Sequence, residues 1–308
     1  MDSLLIDASL LQQMLIGALL GISVYLPLRC GQLSLATPGF YAIGGTLAAL
    51  LSTRVSVLGG NDPTYPISSV LLEMVLAGLL CGALAVGIGA VVLRLRGVYL
   101  AIATIALVEI LRVTTLNQEG LGGAVGIFGI PQPFNEPSGY ALFTLLLLAG
   151  ICWLCDRVER NRLGRAMAAI RDDELAAACQ GINTERTKLV AFVLSAVVAG
   201  LVGVISAHFL NSWNARLGNF DASITTLAFV VFGGSRTWAG PVVGGLVLTA
   251  LPELLRPIGD LRLIVFGLVI LVGPLLLPQG LINPALIGAW RHRLPGRRAS
   301  AAAPESRP

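Results

Sequence analysis

The sequence is poor in charge. Of its 308 residues only 12% are Asp, Glu, Lys or Arg, whereas 55% are apolar, and the mean hydropathy is +0.81. Soluble domains carry about 25% charged residues, and half that density does not solvate the surface of a globule of this size. The composition therefore excludes a soluble multidomain enzyme, a secreted disulfide scaffold and a disordered chain. It predicts an integral membrane protein.

The residues of several kinds of active site are also missing. The only lysine, Lys188, follows a threonine, so the chain has no phosphate loop ending in Gly-Lys and cannot bind ATP in that manner. Its two histidines, His208 and His292, lie too far apart for a histidine-based metal site, and no Gly-x-Ser-x-Gly elbow occurs. We expect no enzyme, metal or cofactor in this chain, and we interpret His208 as a polar residue at the membrane interface.

Apolar runs that approach the length of a spanning helix, about 20 residues, recur along the chain. They are 10–28, 33–52, 67–93, 97–112, 139–155, 188–210, 222–235, 240–255 and 262–278. As one helix, 222–255 would be about 51 Å long against a hydrocarbon core of about 30 Å, and its Gly-rich centre is expected to break it. We predict an all-α polytopic membrane protein with about nine spans and a broken segment near 233–241.

Cationic residues are concentrated on one side of this arrangement. With the N-terminus outside, only five of them fall on the outer side: Arg54, Arg112, Arg216, Arg256 and Arg262. Because loops rich in Lys and Arg stay in the cytoplasm, we predict that the N-terminus is outside and the C-terminus inside. Residues 1–290 then form the transmembrane domain, and 291–308 form a disordered, basic cytoplasmic tail. The cations form no patch of the kind that binds nucleic acid.

Small and ionisable residues add two expectations about the spans. The Gly-x-x-x-Gly patterns starting at Gly17, Gly78 and Gly240 let helix backbones approach closely, which indicates general close packing. Glu73 and Glu109 are ionisable residues predicted inside the membrane, and such residues are candidates for function. A role in an ion pathway and a role in packing or pairing both stay open, the latter because Arg112 lies one helical turn after Glu109.

The inner segment 156–187 is long, charged and rich in helix-capping residues. These residues are Asn161, Asp172, Asp173, Gly181 and Asn183. They predict two short helices, 164–170 and 174–180, before the next span begins. An alanine-rich face with interspersed acidic residues favours a docking surface for another protein over an interfacial membrane anchor.

This segment carries a resemblance to a known family. Its relevant residues are Gly164, Arg165, Ala169, Ile170, Arg171, Glu174, Ala176, Ala177, Gly181 and Asn183. They resemble the cytoplasmic loop of permease subunits in branched-chain amino acid ABC importers, of the LivM-like kind, where importer permeases contact their ATPases. Further stretches agree in order: Gly31 to Leu35, Leu95 to Ile110, Gly122-Gly123, Gly129 to Pro131, Gly233-Gly234 and Gly240-Pro241.

The resemblance implies a multi-pass protein of the bacterial inner membrane with several partners. Importers of this kind pair two permease subunits, identical or different, with two cytoplasmic ATPases and a periplasmic binding protein, and the ATPases alone use ATP. Closure of the ATPases, felt through 164–183, would reorient the spanning helices. Branched-chain amino acids are the expected solutes. Urea or short amides on the same scaffold, and an ion-coupled secondary transporter, are the alternatives.

The path through the membrane is sought where the backbone is irregular, because irregular backbone at membrane depth lines cavities. The candidates for path or gate are Pro38, Gly122, Gly123, Gly233, Gly234, Gly240 and Pro241. No predicted span holds a pair of opposite charges near its centre, as tight binding of a zwitterion would require. We therefore expect a weak, mostly apolar and backbone-lined passage, with recognition by a separate binding protein.

Overall fold

Helices make up nearly all of the regular structure in a computed structural model, which describes residues 8–54, 65–259, 261–276 and 280–282. The helices are α1 (Ala8–Leu28), α2 (Thr37–Arg54), α3 (Ile67–Val92), α4 (Val98–Asn117), α5 (Pro137–Arg160), α6 (Arg162–Asp172), α7 (Glu174–Cys179), α8 (Thr184–Leu210), α9 (Phe220–Gly233), α10 (Ala239–Leu254) and α11 (Leu261–Leu276). The tail predicted over 291–308 lies outside the described residues.

Each predicted span overlaps one helix, and the helices differ in length. Six of the described helices are long and apolar enough to cross a membrane: α1, α3, α4, α5, α8, and α10 with the turn that follows it. The helix α9 has 14 residues, about 21 Å at 1.5 Å per residue, which is less than a hydrocarbon core. The chain is thus an all-α polytopic membrane protein, and the count of nine crossings stays a prediction.

The span predicted over 33–52 begins later than expected, because residues 32–36 are not helical. The amide of Leu35 donates to Thr104 Oγ1 at 3.0 Å, and the hydroxyl of Ser223 donates to the carbonyl of Leu35 at 3.1 Å. Non-helical backbone among spanning helices needs such partners, since lipid supplies none. Pro38 then fits the first turn of α2, where its missing N–H costs no hydrogen bond.

The predicted break between 222–235 and 240–255 is confirmed. The helix α9 ends at Gly233, α10 begins at Ala239, and the two run antiparallel as a hairpin. A Cβ atom on Gly233 would lie 2.0 Å from the carbonyl oxygen of Gly240, and one on Gly244 would lie 2.0 Å from that of Phe229. No side chain fits at these distances, so glycine sets the separation of the hairpin's two helices.

Close backbone approach also organises the remaining core, as two groups of helices. In the hairpin group (α1, α9 and α10), a Cβ atom on Gly245 would lie 2.5 Å from the carbonyl oxygen of Gly17. In the central group (α2, α3 and α8), a Cβ atom on Gly203 would lie 2.2 Å from the carbonyl oxygen of Tyr41. The patterns at Gly17 and Gly240 therefore serve close packing, as predicted. The two groups meet along α1 and α8.

The outer segment between α4 and α5 contains a feature that the sequence did not predict. Ile127–Phe128 pairs antiparallel with Ser212–Trp213, which forms a two-stranded ribbon just after α8. The indole N–H of Trp213 donates to the carbonyl of Ala42 in α2 at 3.2 Å. Strands of two residues are too short to show a periodic pattern in the sequence. The ribbon joins the outer segment to the central group.

The close packing within the central group can be tested by adding a single methyl group. We expect Gly203→Ala to destabilise the protein by about 1–3 kcal/mol, because the added carbon overpacks the contact between α2 and α8. Gly87→Ala in α3 is the matched control, because no atom lies within 4 Å of its added Cβ position. Thermal unfolding in detergent measures both variants. Equal melting temperatures would contradict the assigned contact.

Candidate functional site

A cavity of about 350 Å³ lies between the hairpin group and the central group. Its lining residues are Gln13, Ile16, Gly17 and Leu20 of α1; Pro38 and Tyr41 of α2; Ser206, Phe209 and Leu210 of α8; Leu217; Ala222, Thr225, Thr226 and Phe229 of α9; and Thr249 of α10. These side chains are apolar or carry neutral hydroxyl and amide groups. The cavity can hold a small solute through apolar contacts and a few hydrogen bonds.

The predicted path residues fall in three different places. Pro38 lines the cavity. Gly122 and Gly123 lie in the outer segment, at φ values of +97° and +56°. The remaining four, Gly233, Gly234, Gly240 and Pro241, lie at the closely packed end of the α9–α10 hairpin and are not among the residues that line the cavity. The threonines that line the cavity were not predicted. The pair Thr225-Thr226, two polar residues within an apolar run, could have indicated them.

The inner segment folds as the two predicted short helices, α6 and α7. Asp173, and not Asp172, caps α7: its carboxylate accepts hydrogen bonds from the amides of Leu175 at 2.8 Å and Ala176 at 3.0 Å. Gly181 follows α7 at φ +83°, a conformation that L side chains rarely adopt. Asn183 caps α8 by accepting from the amide of Arg186 at 3.0 Å. We call residues 161–183 the coupling segment.

One face of α6 is buried against the rest of the protein. Gly164, Met167 and Ile170, three residues apart, form that face. Met167 packs with Cys30, just after α1, and with Ala191 of α8. A Cβ atom on Gly164 would lie 2.3 Å from the carbonyl oxygen of Val158, so α6 can fold back tightly on the end of α5.

Three side chains hold the turn between α9 and α10. Arg171 of α6 donates to the carbonyl of Ser235 at 2.9 Å and to its hydroxyl at 3.1 Å. Arg29 donates to the carbonyl of Arg236 at 2.8 Å. The carboxylate of Glu159, at the end of α5, accepts from the amide of Trp238 at 3.3 Å and from the hydroxyl of Tyr25. The coupling segment and the hairpin are therefore linked by charge-assisted hydrogen bonds.

Glu174, the first residue of α7, forms an ion pair with α8 and not with the α9–α10 turn. Its carboxylate lies 2.5 Å from Lys188 Nζ and 3.7 Å from Arg96 Nε. The Lys188 residue is only 8% exposed, and a cation with so little access to water needs such a partner. Arg171 and Glu174, three residues apart, thus connect the coupling segment to the two helix groups that enclose the cavity.

A second buried cluster lies at the other end of α8. Glu73 Oε2 and His208 Nε2 are 2.6 Å apart, and both residues are 0% exposed. His208 Nδ1 lies 2.7 Å from the carbonyl of Pro131, which can only accept, so Nδ1 carries a proton. The Tyr65 hydroxyl donates to the other Glu73 oxygen. His208 is therefore buried and paired rather than a free polar group at the end of α8, and its place at the membrane interface stays a prediction.

Glu109 pairs with Arg112, one of the roles left open for it. Arg112 Nε donates to Glu109 Oε2 at 2.9 Å, and the Glu109 side chain is 47% exposed. Neither Glu73 nor Glu109 lines the cavity. Among the residues that the structure describes, no group of three His, Cys, Asp or Glu could hold a metal ion.

The buried pair makes a testable contribution to stability. We expect Glu73→Ala to destabilise the protein by about 1–3 kcal/mol, because it leaves the buried His208 Nε2 without a partner and removes the acceptor of the Tyr65 hydroxyl. Glu73→Gln should cost less, since an amide can donate to Nε2 and accept from Tyr65. Glu109→Ala, which removes an exposed pair, is the control. Thermal unfolding measures the stability of the three variants. A Glu73→Ala protein as stable as the control would contradict the assigned role of the buried pair.

Comparisons with known proteins identify a family and several relatives of similar sequence. The profile of the family described as "Branched-chain amino acid transport system / permease component" matches residues 6–273. The chain is 32% identical over 293 residues to the high-affinity branched-chain amino acid transport system permease protein LivM of Escherichia coli K12, covering 85% of this chain and 66% of that relative.

Of two further relatives, one is named for a different solute. The ribose import permease protein RbsC of Escherichia coli K12 is 26% identical over 251 residues, covering 78% of this chain and 73% of RbsC. The permease protein LivH of Salmonella typhimurium LT2 is 32% identical over 129 residues, or 41% of each chain. The chain thus spans just under two thirds of the length of LivM. No solved structure matches it significantly.

Proposed function

Because the chain belongs to the family of branched-chain amino acid transport permeases, we propose that it is the transmembrane permease subunit of an ABC importer in a bacterial inner membrane. One observation carries the proposal. The coupling segment, on one face of the protein, is bonded to both helix groups that enclose the cavity. A permease driven by separate ATPases needs such a connection between its docking surface and its path.

The composition of the cavity wall supports small, largely apolar solutes. Apolar side chains with hydroxyl groups suit leucine, isoleucine or valine better than a highly charged solute. A zwitterion bound tightly would need a cation and an acceptor at the site, and the lining residues supply no charge. Recognition is then left to a separate periplasmic binding protein. Urea and short amides, which are small and neutral, are the alternative cargo.

The exposed surface of the coupling segment supports docking of ATPases, which would use all of the ATP. Leu175 is 70% exposed, and Ala176, Cys179 and Gly181 are exposed beside it. Gly164, Ile170 and Ala177 are buried and position the segment. A second permease subunit, identical or different, completes the importer. Glu73 is paired with His208 and does not line the cavity, which disfavours the ion-coupled alternative.

We further propose nine crossings with the N-terminus outside and the C-terminus inside. The coupling segment, with its cations, lies on the same face as Arg29, Arg96 and Arg236. Direct hydrogen bonds and an ion pair hold these parts of the chain together there. The positive-inside rule assigns this face to the cytoplasm. The Glu73–His208 pair then lies towards the periplasm.

Labelling of Cys179 tests this orientation. Cys179 is exposed, whereas Cys30 is buried out of reach of the reagent, and burial also raises the pKa of the Cys30 thiol to about 12. A membrane-impermeant maleimide should modify the chain in inverted vesicles and not in intact spheroplasts, and Cys179→Ser should abolish the labelling. Modification of Cys179 from the periplasmic side would overturn the topology.

Association with ATPases tests the function itself. The purified chain should bind no ATP, and ATP hydrolases should co-purify with it through the coupling segment. Gly181→Val should weaken that association, because valine is strained at φ +83°. Glu174→Lys should weaken it too, because it places two cations together where Glu174 now meets Lys188. Gly150→Val in α5, where an added Cβ meets no atom within 4 Å, is the control. Wild-type association and transport in both variants would refute the docking assignment.

A further inference from the structure

The exposed face of α4 carries an ion pair at the depth of the membrane interior. We propose that this face, with Glu109 and Arg112 beside it, is the surface on which a second copy of this chain packs to form the pair of permease subunits. The inference rests on the proposed function: it identifies the second permease subunit as this same chain and places the contact between the two copies on α4.

The helix α4 is the least buried of the six helices that are long and apolar enough to cross a membrane. One of its faces packs against the chain through four residues: Leu100, Ala101, Thr104 and Val108. The opposite face is exposed and consists of Ile102, Ala106, Ile110 and Val113. Apolar residues of this kind suit lipid as well as protein, so the choice between the two depends on the charged residues beside them.

Glu109 and Arg112 lie deep in the span. They are the twelfth and fifteenth of the 20 residues of α4, which places them about 12 Å and about 8 Å from its outer end at 1.5 Å per residue. Their side chains are 47% and 26% exposed, respectively. Ionisable residues at such depths almost always face protein or a water-filled cavity, because lipid does not solvate charge. Neither residue lines the cavity of this chain, which leaves a protein partner.

The pair is held at this depth by its own hydrogen bonds. A long side chain near a helix end can extend to the lipid headgroups. The Arg112 guanidinium points the other way, because its Nε donates to Glu109 Oε2 at 2.9 Å and its Nη2 donates to Glu109 Oε1, one helical turn deeper. The charges therefore stay where only another protein can cover them.

The partner that covers the pair must itself lie in the membrane. In the proposed importer the ATPases are cytoplasmic and the binding protein is periplasmic, so neither reaches the middle of α4. A second permease subunit does. Its contact surface has to supply both an acceptor for the guanidinium and a donor for the carboxylate at the same depth.

A second copy of this chain supplies both groups by symmetry. A two-fold axis along the membrane normal places two α4 helices side by side with the same direction, so that both ion pairs lie at one depth. Arg112 Nη1 takes no part in the two bonds within the chain, and it can donate to the Glu109 carboxylate of the other copy, which keeps free lone pairs. Two charges of each sign then form one closed network. The small Ala106 side chain, between Ile102 and Ile110, lets the second helix approach closely.

Disulfide cross-linking in membranes tests the contact. The full chain carries Cys152→Ser and Cys179→Ser, which removes the two cysteines that are not buried. Ile110→Cys, and Ala106→Cys one turn deeper, should each give a product of twice the chain mass of 32.2 kDa after oxidation with copper phenanthroline. Leu146→Cys in α5 is the matched control, because Leu146 is 64% exposed, Ile110 is 62% exposed, and both lie in the middle of a span. The cross-linked fraction at Ile110 should exceed that of the control by about threefold or more.

The role of the charges is tested in the Ile110→Cys chain. Glu109→Gln together with Arg112→Gln removes both charges, so that α4 is less costly to expose to lipid, and cross-linking should fall about threefold or more. An unchanged cross-linked fraction in this variant would overturn the proposal, as would equal fractions at Ile110 and Leu146 in the parent chain. A product that joins this chain to a different membrane protein would overturn the second copy as the occupant.

Co-purification of ATPases with the wild-type chain separates this inference from the proposed function. ATPases that co-purify with a chain that cross-links at neither Ile110 nor Ala106 would overturn the α4 contact and leave the proposed function in place. Cross-linking at these positions with no ATPase bound would support the α4 contact and refute the proposed function.

Discussion

Backbone contact through glycine determines how these helices assemble. In a bilayer, lipid tails are as apolar as leucine side chains, so helices gain little by exchanging one for the other, and association depends on close packing and hydrogen bonds. At Gly233, Gly244 and Gly203 a Cβ atom would lie within 2.2 Å of a carbonyl oxygen on the neighbouring helix. The arrangement of the helices inside each of the two groups follows from these contacts.

Polar contacts then join the helices that pack closely through glycine. Each of the main ones links elements that are distant in the chain: Glu73 with His208, Arg171 with Ser235, and the Leu35 backbone with Thr104 and Ser223. Because unsatisfied polar groups are costly in a membrane interior, such contacts lock one arrangement of helices in preference to others. Within the part of the chain that the structure describes, no glycine contact of this kind joins α1 to α8 across the seam between the two groups, and the coupling segment is bonded to both sides of that seam.

Local features of the sequence were sufficient for the existence of the helices and for several of their ends. Apolar runs located the spans, the glycines of 233–241 located the break, and Asp173, Gly181 and Asn183 located the ends of the short inner helices. These signals act within a few residues, through capping, left-handed backbone and helix length. Prediction was wrong for 33–36, where apolar composition suggested a helix but Thr104 and Ser223 hold a non-helical backbone.

The sequence by itself determined the class of protein, the approximate course of its helices and the family to which it belongs, because composition and local pattern are properties of short stretches. Only the tertiary structure decided which side chains meet. His208 and Glu73 are 135 positions apart, and Arg171 and Ser235 are 64 apart. Nothing in their own neighbourhoods points to these partners, because the distance between them is set by how intervening helices pack.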